Sequence, residues 1–96
     1  MHIISKKKLK DFWKRYPASK HPLEVWFKIV RLTRYHVWGE LRKAFPTADK
    51  VDDKIVFNIG GNKYRLITVI HFNRGKVYIR DVLTHEEYDE EKWKNG

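Results

Sequence analysis

Residues 62–89 read NKYRLITVIHFNRGKVYIRDVLTHEEYD. Tyr64, Leu66, Thr68, Ile70 and Phe72 alternate with Lys63, Arg65, Ile67, Val69 and His71, the period-two spacing of a pleated strand. Asn73-Arg74-Gly75 then signals a turn, with Gly75 free to take positive φ. A second strand is expected over Lys76–Leu83, with Val77, Ile79 and Leu83 on one face and Tyr78, Arg80 and Val82 on the other. If the first set in each strand faces a core, Arg65 and Arg80 point together to the opposite face. Two guanidiniums there, followed by His85 and Tyr88, form a candidate anion site with a proton shuttle.

Working outward, Lys54–Ile59 is a third strand, with Ile55, Phe57 and Ile59 on one side and Val56 and Asn58 on the other. Gly60-Gly61 turns it into the strand that carries Arg65. Upstream the period changes to helical. Leu9, Phe12, Trp13 and Tyr16 form one stripe, Leu23, Trp26, Phe27 and Val30 another, and Leu41 with Phe45 a third. Ser5 is the expected cap of the first helix and Pro17 its stop. Pro22 suits the first position of the second helix, and Thr33–Val37 breaks the pattern before a short third helix. Met1–Ile4 reads as an edge strand, and 47–54 as polar turn. Thr84 and Glu87 have the spacing of a capping box, and the acidic tail from Asp89 to Lys94 suits a short helix. The expected class is α+β in one domain over residues 1–96: N-terminal helices on one face of an antiparallel sheet, and a short C-terminal helix.

Composition narrows the function. The formal charge is +9, and it is lopsided: residues 1–50 hold 13 Lys and Arg against 4 Asp and Glu, whereas 51–96 hold 8 of each. A basic half favours a polyanionic partner, nucleic acid first. Lys6, Lys7, Lys8 and Lys10 crowd the start of the first helix, where the dipole disfavours cations, and are candidate RNA contacts. Without cysteine there is no disulfide scaffold or thiolate zinc site, and the five histidines have no ligand spacing, so neither metal nor cofactor is implied. No apolar run approaches the ~20 residues of a membrane span, no signal peptide is evident, and a cytoplasmic protein without membrane attachment is expected. Each candidate also has a structural reading. Either arginine can pair with Asp81 or the acidic tail, His85 can be a hydrogen-bonded surface residue at a helix start, and the tryptophans at helical spacing can be core.

The Val56-Phe57-Asn58-Ile59 strand, Asn62-Lys63-Tyr64-Arg65-Leu66-Ile67, Thr84-His85-x-x-Tyr88-Asp89 and the Phe-Pro-x-Ala-Asp turn at Phe45–Asp49 resemble, in order and spacing, the HigB-type toxins of type II toxin–antitoxin systems, within the RelE/ParE-like superfamily. The resemblance covers nearly the whole chain. It implies a compact microbial RNase fold whose sheet face opposite the helices is concave and basic. It also implies an endoribonuclease (mRNA interferase) acting on mRNA at the ribosome, with rRNA contacts, and inhibited by a HigA-like helix-turn-helix antitoxin. By position, Arg65 and Arg80 would hold the scissile phosphate, His85 and Tyr88 would be acid–base candidates, and Lys63 would add charge at the mouth. The expected reaction is metal-independent attack of the 2′-OH on the adjacent phosphorus. The alternatives are a ParE-like topoisomerase-targeting toxin, which needs no acid–base residue, and a non-catalytic RNA- or ribosome-binding module. The latter would expose its rings for stacking, whereas most aromatic positions here fall on core stripes.

Overall fold

The computed structural model describes residues 1–91 and 93. Its elements run β1 (His2–Ile4), α1 (Lys6–Arg15), a 3-10 turn (Pro17–Ser19), α2 (Lys20–Leu32), α3 (Trp38–Ala44), β2 (Asp49–Val51), β3 (Lys54–Ile59), β4 (Tyr64–His71), a second 3-10 turn (Phe72–Arg74), β5 (Lys76–Thr84) and α4 (His85–Asp89). The strands form one open sheet in the order β1-β5-β4-β3-β2. Four of them pair antiparallel, but β1 runs parallel to β5, so the sheet is mixed and not purely antiparallel. The parallel pairing follows from connectivity: the chain leaves β1 into the helices and closes that edge only after β5 is laid down.

The helical stripes bury as their spacing dictates. Leu9 and Phe12 of α1, Leu23, Trp26 and Val30 of α2, and Leu41 of α3 pack on Ile55, Phe57, Ile59, Leu66, Ile79 and Val82 of the sheet. Phe57 meets both Trp26 and Phe45 edge-on, with centroids 5.3 and 5.1 Å apart, an arrangement that adds ring electrostatics to area burial. Gly60, Gly61 and Gly75 all take positive φ, so both hairpin turns use the freedom that a side chain would deny. Among the described residues no helix is long and apolar enough to cross a membrane.

Local details depart from the sequence reading. Ser5 stands before α1 in the left-handed region, φ 76°, and makes no side-chain cap. Pro22 lies in the third position of α2, not the first, because the turn from Pro17 starts that helix two residues earlier; it is tolerated where backbone N–H groups have no helical partner anyway. Residues 49–51, in the stretch read as turn, are a strand on β3. The tail helix comes earlier than read: α4 ends at Asp89 and Glu91 has φ 61°, while Lys92 and Lys94 lie outside the described residues. At the far end of the helical layer the α-amino group of Met1 donates to the carbonyls of Val30, Arg31 and Thr33, closing the end of α2. Burial, with the Arg34 charge second, lowers the pKa of that amine.

One departure reorganises the site. Ile67 of β4 pairs with Asp81, but Thr68 pairs with Ile79, so Arg80 is an extra, bulged residue. A bulge shifts the side-chain phase of everything beyond it. Val82 therefore faces the helices, and Leu83 faces the other way with Val56, Ile67 and Trp93, the reverse of the expected alternation. That far face is thus not simply open and basic: it carries a second, smaller apolar cluster, flanked by Val51 and Tyr88.

Candidate active site

The site assembles where β5 hands over to α4. Thr84 is extended, and its hydroxyl accepts from the Glu87 N–H at 3.3 Å while Glu87 Oε1 accepts from the Thr84 N–H at 3.0 Å. The capping box expected from Thr84 and Glu87 is therefore present, and it supplies the start that a helix as short as α4 needs. The His85 N–H donates to the Lys63 carbonyl at 3.0 Å, tying this start to the edge of β4. Three residues apart on one turn, His85 and Tyr88 both reach Arg65.

Arg65 is 9% exposed, although it was read as an open-face residue. Its Nη1 donates to the carbonyls of Asn62 and Tyr64 at 3.0 and 3.2 Å. Its Nη2 lies 3.2 Å from Nδ1 of His85, and its guanidinium carbon is 5.3 Å from the centroid of Tyr88. A guanidinium has no acceptor, so His85 Nδ1 must be the lone-pair nitrogen of this contact and the ring proton sits on Nε2. Nε2 in turn lies 3.2 Å from Oδ2 of Asp89. The result is a directed chain, Arg65 to His85 to Asp89, with its outer half exposed: the His85 and Asp89 side chains are 49% and 59% accessible. Among the described residues no partner takes the Arg65 Nε–H or its second Nη2 hydrogen, which suit an incoming anion.

Arg65 lines a cleft of about 300 Å³ with Arg42, Thr47, Asp49, Asn58 and Tyr88. Asn58 is there because it pairs with Arg65 across β3 and β4. Arg42 is a residue that sequence reasoning missed. Its Nε donates to the Pro46 carbonyl at 3.0 Å, and its guanidinium carbon lies 5.9 Å from the Trp38 ring centroid. The available signal was its place four residues before the Pro46 turn, within one helical turn of the Phe45–Asp49 motif. Tyr88 is also held by Trp93, whose ring stacks at 4.9 Å and 14° and whose indole N–H donates to the Tyr88 carbonyl at 3.0 Å.

The remaining sequence candidates fall elsewhere. Arg80 is exposed at the bulge and does not line the Arg65 cleft; it borders a neighbouring cavity with Lys54, Ile67, Asp81, Leu83, Glu87 and Trp93. The cluster of Val56, Ile67, Leu83 and Trp93 touches both cavities and lies between them. Lys63 is exposed and joins the site through its backbone carbonyl. Lys6, Lys7, Lys8 and Lys10 are exposed on α1; Lys6 sits 4.3 Å over the Phe27 ring, and Lys8 Nζ donates to the Arg80 carbonyl at 3.0 Å.

Residues 19–91 match the family model of the HigB toxin, described as the RelE-like toxic component of a toxin–antitoxin system. The mRNA interferase toxin HigB of Escherichia coli (strain K12) is 37% identical over 92 residues, spanning 93% of this chain and 88% of that protein. The mRNA interferase HigB of Escherichia coli O157:H7 gives the same figures. That of Escherichia coli O6:H1 (strain CFT073) is 33% identical over 92 residues, 93% of this chain and 89% of its own. The family match runs from the end of the first 3-10 turn through α4 and so takes in every residue of the Arg65 cleft. The chain belongs to the HigB family of RelE-like toxins.

Proposed function

We propose that this toxin is an mRNA-cleaving endoribonuclease whose chemistry is carried by the Arg65 cleft. The observation that carries the reading is the convergence of a buried, unsaturated guanidinium, an imidazole and a phenol at 3.2 and 5.3 Å. In the reaction a ribose 2′-OH attacks the adjacent phosphorus and the 5′-oxygen departs. The free fork of Arg65 takes the non-bridging oxygens and stabilises the charge that builds on the phosphorane-like transition state. The phosphate competes with His85 for Nη2 while Nη1 stays on its two carbonyls, so Nδ1 is released to accept a proton, and Asp89 stabilises the imidazolium that forms. His85 and Tyr88 share the proton transfers, one at the 2′-oxygen and the other at the 5′-oxygen.

The same reading places the protein in the cytoplasm, acting on mRNA at the ribosome, with α1 and its lysines on rRNA backbone. Its antitoxin is a HigA-like helix-turn-helix protein. Val25, Ile29 and Leu32 recur along the outer face of α2 and are large, apolar and exposed, as is Val37 beyond it. With Lys28 and Arg31 beside them, they suit an amphipathic, acidic segment of the antitoxin. The test is incubation with translating ribosomes and a defined mRNA, followed by mapping of the cut and its ends. A 5′-OH and a 2′,3′-cyclic phosphate or 3′-phosphate are expected. A 5′-phosphate at the cut, or intact mRNA, refutes the assignment.

A further inference from the structure

The bulge gives Arg80 different company from Arg65. One cavity that it lines, of about 340 Å³, is formed with Ser5, Lys8, Val69, His71, Tyr78 and Ile79. Two cations enter this cavity and no carboxylate does, whereas the other two cavities beside Arg80 contain Asp81, one with Asp11 and the other with Glu87 and Glu90. Lys8 is anchored there by its bond to the Arg80 carbonyl, which fixes the ammonium beside the bulge. His71 and Tyr78 meet edge-to-face at 5.2 Å and form a partly exposed aromatic wall. The first turn of α1 carries Lys6, Lys7 and Lys8 and no acid, a self-repelling arrangement that a polyanion would relieve. Cations around a backbone track, with rings on which a base can stack, are the elements of single-strand binding.

We propose that Lys8 and Arg80, with His71 and Tyr78, form a second RNA subsite, which holds the phosphate and base of a nucleotide outside the scissile pair. This rests on the endoribonuclease reading and names the substrate contact that the Arg65 cleft leaves out. On the ladder Arg80 falls between the partners of Ile67 and Thr68, two to three residues along β4 from Arg65, or roughly 7–10 Å at about 3.3 Å per residue. That offset suits a neighbouring nucleotide, and the Lys8–Arg80 cavity shares no lining residue with the Arg65 cleft, so each arginine meets its own phosphate. Arg80 therefore captures and aligns the strand, while Arg65 meets the reacting phosphate.

The experiment uses the full chain and fluorescein-labelled RNA oligonucleotides of three and nine nucleotides, with 2′-O-methyl ribose throughout to block cleavage, read by anisotropy across a salt series. Wild type should bind the longer oligonucleotide more tightly. Lys8→Ala and Arg80→Ala should each erase most of that gain, about tenfold, and lower the slope of log affinity against log salt by about 0.7 for each lost phosphate contact. Tyr78→Ala should weaken the longer oligonucleotide with an unaltered slope, because stacking carries no counterion release. In ribosome-programmed cleavage, Arg80→Ala should raise the half-saturating mRNA concentration and reduce the maximal rate far less than Arg65→Ala. If Arg80→Ala and Lys8→Ala leave the length gain and the slope intact while wild type cleaves mRNA, the subsite is refuted and the nuclease reading stands. If Arg80→Ala matches Arg65→Ala in maximal rate, Arg80 belongs to the reacting phosphate and the subsite is again wrong. If wild type neither binds nor cleaves RNA, both fall together.

Discussion

Replacing Arg65 should damage folding and chemistry together, in amounts that can be separated. Arg65→Ala removes donors from the Asn62 and Tyr64 carbonyls and from His85 Nδ1, and the cation from Tyr88. Hydrogen bonds from a charged donor contribute about 1.5–3 kcal/mol each when they stand alone. They share one side chain here, and the outer partner is half exposed, so a sum would overshoot; a loss of about 2–4 kcal/mol is expected. A domain of this length has about 5–14 kcal/mol in total, so the variant stays folded but is measurably weaker. With a urea slope of about 1.5–2 kcal/mol/M, the unfolding midpoint should fall by roughly 1–2.7 M. Arg65→Lys keeps the charge and fills most of the space but has no planar fork. It should cost about half as much stability, while cleavage of ribosome-bound mRNA falls by about 10²–10³, the range for loss of a transition-state donor. The paired assays are urea unfolding followed by fluorescence and single-turnover cleavage. A midpoint shift below about 0.3 M for Arg65→Ala would mean that the buried contacts contribute little. Near-wild-type cleavage by Arg65→Lys would remove the guanidinium fork from the mechanism.

Thr84→Ala removes the hydroxyl half of the capping box, leaving the backbone N–H of residue 84 on Glu87, and should cost about 0.5–2 kcal/mol, with faster amide exchange concentrated in α4 and partial recovery in Thr84→Asp; unchanged exchange there would show that α4 is held by other contacts. His85→Ala should lower the single-turnover rate by about 10²–10⁴ with a much smaller loss of mRNA affinity, and equal losses in both would make His85 a structural residue. Leu32→Asp, at a site 67% exposed, should leave thermal unfolding within a few degrees of wild type and weaken the complex with the antitoxin at least tenfold in calorimetry; undiminished affinity would move the antitoxin to another face.

Much of the fold was legible because most buried positions follow one period. The α1 and α2 stripes and the alternation of β3 each repeat a signal over several residues, and the structure turns those residues to the core, with Trp13, Tyr16 and Phe27 only partly buried; the glycine turns fall where read. The bulge left no such signal. In Val77-Tyr78-Ile79-Arg80-Asp81-Val82-Leu83 either phase can be continued, since Val82 and Leu83 are both apolar and either can face the helices. Only pairing with β4, a contact distant in sequence, selects Val82. The same limit hid β2, a polar strand given its form by β3, and Arg42, which enters the cleft because α3 and the Pro46 turn are folded over it. Of the site, His85 and Tyr88 were readable from their spacing and cap. The burial of Arg65 was not, because an arginine on an alternating strand ordinarily faces water, and here α4 and Trp93 cover that face.

The bulge also explains why two arginines on adjacent strands suit different tasks. Arg65 lies on the regular part of the β4–β5 ladder, under α4, and its orientation is fixed by carbonyls and an imidazole before any substrate arrives. A charge already aimed needs little reorganisation as the transition state forms, which is the condition under which electrostatic stabilisation is largest. Arg80 stands exposed at the irregularity, its backbone carbonyl engaged by Lys8. Clamping its side chain on a phosphate costs up to about 2 kcal/mol of rotamer freedom, and that cost falls on binding and not on the chemical step. Deleting the extra residue would make Ile79 and Asp81 neighbours opposite Thr68 and Ile67, a regular ladder that keeps Val82 toward the helices and Leu83 on the cleft side. The cluster of Val56, Ile67, Leu83 and Trp93 would stay together beside the Arg65 cleft. A chain lacking residue 80 should therefore keep the chemical step and lose chiefly affinity, as Arg80→Ala does. Loss of single-turnover cleavage in the deletion but not in Arg80→Ala would show that the bulge itself orders the Arg65 cleft.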